Sequence, residues 1–560
     1  MGQTGGVFIV LARVPELEGT GRTMAARLSD AGGALGIEYV ADLAAFVARE
    51  EPQHPRWVWD DTTAWYPELL AAGIRVQRCF DLRLCHAILR SSTLTAGSAL
   101  ATAPQGVWDA PTPASAPVEP SGALFDLELE PEALPAVADP LAEFTLQRAA
   151  VAGSAEPGRI SRLLAAESAG ALIAAEMRFA GLPWRADAHD ALLTDILGPR
   201  PVEGVRPSKL QDILDVVRDR LESPDLNPDS PADLLKALGV AGLQVTSTRS
   251  WELKQLKHPA IAPLLDYKKL ARLLSANGWH WLDTWVVDGR FRPDYVPGGV
   301  VTGRWATSGG GALQLPKQIR GAVVADDGWK FVVADASQLE PRILAAMSAD
   351  RGMVQAGAAG DLYAGIVASG AVETRDQAKV AMLGAMYGAT SGESGRLMPR
   401  LAKAYPRAIA LVEEAARAGE RGEIVTTQLG RSSPPGQRFE GWSDARSEAD
   451  ATRARERSRA WGRFTRNFIV QGTAAEWALC WMASIRRRLR ELDDGWFSDA
   501  PHLVFFLHDE VVVHTPAELA APVRAIIAES AAEAGRLLFG ELPVTFPLTV
   551  ATVDNYGQAK

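Results

Sequence analysis

Short apolar runs that end at charged residues are the clearest pattern in this chain. Phe331-Val332-Val333-Ala334 is too short for a helix and predicts a buried strand ending at Asp335. Ser337-Gln338-Leu339-Glu340 follows with the S-x-x-E spelling of a capping box, and apolar residues continue at helical spacing behind it. The pattern predicts a central strand, a turn and a capped helix, with the Asp335 carboxylate at the mouth of the turn.

A second pattern occupies residues 375–388, with the sequence RDQAKVAMLGAMYG. Its cations and larger side chains recur every four residues and therefore form one stripe on a helix: Arg375, Lys379, Leu383 and Tyr387. Two cations followed by an aromatic ring on one face suit a triphosphate and a base. An ordinary surface helix with a snorkelling lysine gives the same spacing and remains an alternative.

A third pattern, HLVFFLHDEVVVHT, occupies residues 502–515. Two apolar strands flank His508-Asp509-Glu510, which predicts a tight hairpin turn. A second carboxylate beside Asp335 supplies the parts of a two-metal site. Two Mg²⁺ ions about 4 Å apart in such a site activate a 3′-hydroxyl and stabilise a leaving pyrophosphate.

These stretches together resemble the bacterial DNA polymerase I family (family A). DASQLEPR is similar to the first palm motif of that family, RDQAKVAMLGAMYG to its fingers helix, and HDE to its second palm motif. The resemblance implies an α+β right-hand polymerase with an antiparallel palm sheet and helical thumb and fingers. It also implies primer-template DNA and deoxynucleoside triphosphates as partners, and two Mg²⁺ ions, which Mn²⁺ can replace.

The resemblance assigns the chemistry to a few side chains. Asp335 and Asp509 are the implied metal ligands, with the backbone carbonyl of Ala336 as a further one. Lys379 is the implied general acid for pyrophosphate, where a placed proton donor gives about 10²–10⁴-fold. The implied catalytic set is Asp335, Asp509, Lys379 and Glu510, of which Glu510, together with His508, supports the second aspartate and the primer end.

Selection of the sugar is implied to depend on Glu340, which would block a ribose 2′-hydroxyl and be braced by Tyr387. The capping-box interpretation competes directly for the same carboxylate. The implied nucleotide-binding set is Arg375, Lys379, Leu383, Tyr387, Glu340, Gln338 and His508. Leu383 stands where the family has a stacked aromatic residue, and Ala336 and Pro341 also depart from the family's first motif.

A row of polar residues at helical spacing is expected to contact DNA. Arg463, Asn467 and Gln471 share one helix face, and this row suits minor-groove acceptors better than a core. A solvent-facing row is the alternative. The implied DNA contacts are Arg304, Gln314, Arg463, Asn467, Gln471, Lys268 and Arg342. Lys268 would contact phosphates regardless of sequence, although an ordinary surface lysine reads the same way.

The first 150 residues alternate predicted strands and helices, which is typical of a small α/β domain. They resemble the ribonuclease H-like 3′–5′ exonuclease domain of the same family. The strand VFIVLAR lacks the D-x-E of that domain, and the acid expected near Ala64 is absent, although Asp60 and Asp61 lie close. Asp126-Leu127-Glu128 follows a Pro-rich stretch in the wrong chain order. An inactive exonuclease is therefore expected, with no 5′-nuclease domain.

The resemblance divides the chain into five segments. They are 1–150 (exonuclease-like), 151–300 (thumb), 301–348 (first part of the palm), 349–460 (fingers) and 461–560 (second part of the palm).

Composition adds a local charge to this picture. The 560 residues carry a net charge of −10, but residues 451–490 hold ten Arg against two Glu, a net charge of +8. Such a stripe on an acidic chain predicts a nucleic-acid footprint, and a solvated helix face is the alternative. Three cysteines without metal-ligand spacing, no basic leader and no long apolar run predict a cytoplasmic protein without a membrane partner. The resemblance adds the expectation of a nucleoid-associated monomer.

The expected function is template-directed DNA synthesis in repair or gap filling. A related palm enzyme that makes RNA is a second class, against which Glu340 argues. A non-catalytic relic that binds primer-template is a third, and the presence of Asp335, Asp509, Lys379 and Arg375 argues against it. A polymerase with a working exonuclease also stays open.

Overall fold

The computed structural model describes residues 7–14, 22–110, 138–389, 392–436 and 448–559. The chain forms two compact units, each built from separate stretches of sequence. The first unit comprises Met1–Ala180, Asp294–Ser308 and Val332–Val550. The second comprises Gly181–Pro293, Gly309–Phe331 and Ala551–Lys560.

A five-stranded sheet opens the first unit, in the order β3-β2-β1-β4-β5. The strands are β1 (Val7–Val14), β2 (Arg22–Ser29), β3 (Ala34–Val40), β4 (Arg56–Trp59) and β5 (Cys79–Asp81). The helices are α1 (Leu43–Glu50), α2 (Thr62–Ala71), α3 (Leu82–Ser91), α4 (Ala99–Thr102), α5 (Pro140–Ala152) and α6 (Pro157–Ala180). Strands β1, β2 and β3 pair antiparallel, whereas β4 pairs parallel to both β1 and β5. This mixed sheet with flanking helices confirms the predicted α/β domain.

The second unit is mostly helical, with one small antiparallel sheet in the order β6-β8-β7. Its helices are α7 (Ala186–Leu197), α8 (Ser208–Arg220), α9 (Pro231–Val240), α10 (Ser250–Leu253), α11 (Ile261–Asn277) and α12 (Trp279–Trp285). Its strands are β6 (Leu182–Pro183), β7 (Val286–Val287) and β8 (Arg290–Phe291). Leu210 and Leu214 of α8 pack against Tyr267 of α11 in one buried cluster, which joins the two helices.

The rest of the first unit surrounds a four-stranded sheet in the order β12-β13-β11-β14. A two-stranded ribbon, β9 (Asp294–Val296) and β10 (Ala306–Gly309), precedes it. The sheet strands are β11 (Trp329–Ala336), β12 (His502–Leu507), β13 (Glu510–Pro516) and β14 (Leu548–Val553). The helices are α13 (Leu339–Ser348), α14 (Arg351–Gly357), α15 (Leu362–Ala368), α16 (Arg375–Tyr387), α17 (Gly392–Ala404), α18 (Pro406–Glu420), α19 (Glu448–Leu492) and α20 (Ala520–Phe539).

The predicted strand ending at Asp335 is confirmed, but the capping box behind it is wrong. Helix α13 begins at Leu339, after Gln338 in the left-handed region at φ 57°, and no side chain caps it. Ser337 therefore lies one residue too early to accept from the first turn. Glu340 is free of a capping role and makes other hydrogen bonds.

The charge of the basic stripe in α19 is partly neutralised. Buried Arg486 forms an ion pair with Glu176 of α6 at 2.7 Å. The next arginines pair with acids from α20 and from the segment just after α19: Arg487 and Arg488 with Glu533, and Arg490 with Asp494. The expectation of one continuous nucleic-acid footprint is therefore wrong for the C-terminal half of the stripe.

In the part of the chain that the structure describes, no helix combines the length and the apolar character needed to cross a membrane.

Candidate functional site

Two aspartates lie at the ends of neighbouring strands of the four-stranded sheet. Asp335 is the penultimate residue of β11, and Asp509 lies in the two-residue turn between β12 and β13, where Leu507 pairs with Glu510. His508 adopts φ 57°, which suits the tight turn of such a hairpin. The Ala336 N–H donates to the Asp509 carbonyl at 2.9 Å. The fold therefore brings the two predicted carboxylates to one edge, both partly exposed.

The donors at this edge fit a hard divalent cation. Among the described residues, no three His, Cys, Asp or Glu side chains cluster as a metal centre. A metal here would be held by Asp335 and Asp509, with backbone and substrate oxygens completing the shell. Mg²⁺ is bound in this way in proteins, through one or two carboxylates together with substrate phosphates.

Glu340 is the centre of a cluster that joins three elements. One carboxylate oxygen accepts from Arg304 Nη2 at 2.5 Å, and the other accepts from the Tyr387 hydroxyl at 2.8 Å. Burial and the neighbouring Glu340 charge raise the pKa of Tyr387 to about 12, so the phenol stays a donor at neutral pH. The resemblance implied that Tyr387 braces Glu340, and this contact is present; the ion pair of Glu340 with Arg304 was not predicted.

Helix α16 presents the predicted stripe on its open face. Arg375, Lys379 and Tyr387 are exposed and Leu383 is partly exposed. The opposite face is buried and consists of small and flexible apolar residues: Ala378, Ala381, Met382, Ala385 and Met386. The Thr374 hydroxyl caps the start of the helix, and Gly388 at φ 75° ends it. The cations are therefore held away from the core.

Asp361 is a residue of this site that sequence analysis missed. Its Oδ2 accepts from Arg375 Nε at 2.8 Å, and its Oδ1 accepts from Gln338 Nε2 at 2.7 Å. Although burial opposes ionisation, the hydrogen bonds from Arg375 and Gln338 lower the pKa of Asp361 to about 2. Asp361 also caps α15, and a helix N-cap is all that its sequence context indicated.

The prediction that Arg342 contacts DNA is wrong. Its side chain is only 1% exposed. The guanidinium donates to backbone carbonyls of several segments instead: those of Ser337, Gly357, Gly360 and Thr545. Arg342 is therefore a structural link within the first unit.

The predicted polar row lies along one face of α19. Arg463 is exposed, and Asn467 and Gln471 are partly buried. Asn467 Oδ1 is buried and has no hydrogen-bond partner among the described residues. An amide oxygen in this state is costly unless a ligand or water supplies a donor.

The predicted DNA contacts of the second unit line a cavity of about 970 Å³. Lys268 and Gln314 are both in its wall, together with three further cations: Arg206, Lys269 and Arg272. Arg272 donates to Gln314 at 3.5 Å. The cavity therefore has the charge that a phosphate backbone requires.

The strand VFIVLAR, which lacks the D-x-E of the exonuclease motif, contains Arg13 and no acid. Arg13 donates to the Ala64 carbonyl at 2.8 Å and stacks over the Trp65 ring at 4.8 Å. The nearby acids have structural partners, since Asp60 accepts from Trp65 and Asp61 caps α2. Asp126 and Glu128 lie outside the described residues.

Comparison with known proteins gives a consistent result. The model of DNA polymerase family A matches residues 209–558. DNA polymerase I of Chloroflexus aurantiacus is 28% identical over 333 residues, which cover 54% of this chain and 33% of that protein. Thermostable DNA polymerase I of Thermus aquaticus is 26% identical over 341 residues, covering 55% of this chain and 37% of that protein. The chain thus matches about a third of the length of these curated relatives.

One solved structure covers nearly the whole chain. It is the POL domain of Pol1 from M. smegmatis in complex with DNA primer-template and dNTP. It has a TM-score of 0.66 and 17% sequence identity, and covers 99% of this chain and 96% of that one. This likeness confirms the predicted fold.

Proposed function

Because the chain belongs to DNA polymerase family A, we propose that it is a DNA-templated DNA polymerase that extends a primer 3′ end. The observation that carries this proposal is the arrangement around β11. Asp335 and Asp509 meet at one edge of the sheet, and Glu340, in the helix after Asp335, bonds to Tyr387 of the α16 stripe. A metal-binding edge is thereby linked to a cationic helix face.

Each side chain has a distinct role in this proposal. Arg375 and Lys379 bind the triphosphate, and the Asp361 carboxylate keeps Arg375 in place. Asp335 and Asp509, with the Ala336 carbonyl, would hold divalent ions, and these would supply Lewis-acid activation of the primer 3′-hydroxyl and neutralise charge on the leaving pyrophosphate. Lys379 gives that pyrophosphate a proton. Leu383 offers an aliphatic contact to the base in place of an aromatic one.

DNA contacts complete the proposed complex. Arg304, Arg463, Asn467 and Gln471 contact the primer end and the adjacent bases, and Lys268 and Gln314 hold the duplex. The thumb, palm and fingers follow the segments given in the sequence analysis. The enzyme acts as a nucleoid-associated monomer in repair or gap filling. His508 and Glu510 support the Asp509 turn.

The experiment that tests this function is primer extension with Mg²⁺ and the four deoxynucleotides. Extension that requires both the template and the divalent ion supports the proposal. Binding of primer-template without any extension supports the alternative of a non-catalytic relic.

Replacing Glu340 with Ala should weaken selection against ribonucleotides. The carboxylate fills the space next to the sugar, so we expect the ratio of kcat/KM for deoxy- over ribonucleotides to fall about a hundredfold. Single-nucleotide incorporation measures this ratio. Glu68→Ala, an exposed glutamate of α2, is the matched control. An unchanged ratio in Glu340→Ala would remove Glu340 from sugar selection and reopen the RNA-making class.

We further propose that the N-terminal domain has no 3′–5′ exonuclease activity. Arg13 brings a positive charge to the strand that carries acids in an active domain, and metal ions would be repelled there. A labelled, mismatched primer incubated with Mg²⁺ and no nucleotides should keep its length. Shortening by both the wild type and Asp335→Ala would show a working exonuclease elsewhere in the domain.

A further inference from the structure

The turn that carries Arg304 is short and held by its own backbone. Between β9 and β10, the Gly303 N–H donates to the Val300 carbonyl at 2.7 Å, and the Val300 N–H donates to the Arg304 carbonyl at 3.1 Å. Residues 297–304 are called the Arg304 turn below. These two hydrogen bonds tie the backbone of Arg304 to the backbone of Val300 and Gly303.

A buried ion pair lies directly against this turn. Glu167 of α6 and Arg431 are 2.6 Å apart, and their side chains are 1% and 12% exposed. A side chain at Gly303 would come within 2.4 Å of Arg431 Nε, and one at Gly298 within 2.8 Å of Glu167 Oε1. Both glycines also have positive φ, at +85° and +64°. The backbone of the turn therefore rests on the two charged groups with no side chain between.

Helix α19 fixes the other side of the pair. Buried Glu476 accepts from the Leu429 N–H at 2.8 Å and from the Thr427 hydroxyl. The Thr427 hydroxyl oxygen in turn accepts from the Arg431 N–H at 2.9 Å. The segment that carries Arg431 is thus folded by α19, the same helix that bears Asn467 and Gln471.

We propose that Glu167 and Arg431 are positioning residues for sugar selection. They hold the Arg304 turn in the position from which the Arg304 side chain bonds to Glu340. This inference rests on the proposed function and deepens it. Neither residue touches the nucleotide. Their effect reaches the nucleotide through Arg304 and then Glu340. The second carboxylate oxygen of Glu340 is held by Tyr387.

Electrostatics makes the pair sensitive to loss of either partner. Removing one member of a buried pair leaves the other charge uncompensated, so the remaining side chain moves or recruits water. Burial already raises the pKa of Glu167 despite the Arg431 charge. The turn resting on the pair must follow such a rearrangement.

The test is Glu167→Gln, which keeps shape and removes charge. We expect the deoxy-over-ribonucleotide ratio of kcat/KM to fall about tenfold. In a Glu340→Ala background the same substitution should change the ratio no further. The carboxylate through which Arg304 affects the sugar is absent from that background. An equal fall in both backgrounds, or no fall in the wild-type background, would overturn the proposal.

Hydrogen exchange of residues 297–305, followed by mass spectrometry, tests the same proposal and requires no activity assay. Faster exchange of these residues in Glu167→Gln, beyond what a lower melting temperature explains, supports the proposal. Unchanged exchange overturns the proposal. If the wild type extends no primer, the proposed function fails while this readout still decides on the pair. If Glu167→Gln does not fold, Arg431→Lys replaces it as the test. This substitution keeps the positive charge and removes the planar guanidinium with its several N–H donors. Glu491→Gln, an exposed glutamate of α19, is the control.

Discussion

Asp335→Asn should lose primer extension almost completely, with kcat/KM lower by about 10³-fold or more. The substitution keeps the shape of the side chain and removes the negative charge that binds a divalent cation. Asp509→Asn should have a comparable effect. The double variant should be little worse than either single one, since residues that act as a unit are not additive. Single-turnover extension with saturating primer-template measures the loss.

Binding and stability separate this effect from misfolding. Asp335 is partly exposed at the end of its strand, so its neutral analogue should fold and still bind primer-template. Asp499→Asn, another exposed aspartate of the first unit, is the matched control and should extend normally. Wild-type rates in Asp335→Asn would place the metal site elsewhere.

Lys379→Met should lower kcat by about 10²–10⁴-fold, the usual contribution of a placed general acid. The methionine side chain is similar in length to that of lysine and cannot donate a proton to pyrophosphate. Single-turnover extension with saturating primer-template and nucleotide measures this fall in kcat. Lys403→Met, at an exposed lysine of α17, is the control.

Arg375 provides the contrast that makes this result specific. It is held by Asp361, so Arg375→Met should chiefly raise KM for the nucleotide. A Lys379→Met variant that raises KM for the nucleotide and leaves kcat unchanged would make Lys379 a phosphate-binding residue only.

Local sequence was sufficient where an element depends on its own residues. The strand ending at Asp335 and the stripe of α16 were predicted correctly, because a continuous apolar run and a four-residue period each decide a local geometry. The turn at His508 followed for the same reason. These elements carry most of the candidate site.

Sequence reasoning failed where partners come from distant elements. The capping box was wrong because Glu340 bonds to Tyr387, 47 residues later, as the resemblance implied, and to Arg304, 36 residues earlier, which nothing in the sequence indicated. Arg342 was an implied DNA contact, yet its guanidinium donates to the carbonyls of four residues within the protein. No local pattern could show that Glu167 and Arg431 meet, since 264 residues separate them.

The most direct measurement is single-nucleotide incorporation on four primer-templates that differ only in the first unpaired template base. The account predicts that each template directs incorporation of its complementary deoxynucleotide, that Mg²⁺ or Mn²⁺ is required, and that Asp335→Asn is inactive on all four. Incorporation independent of the template base, or tight binding with no incorporation on any template, would contradict it.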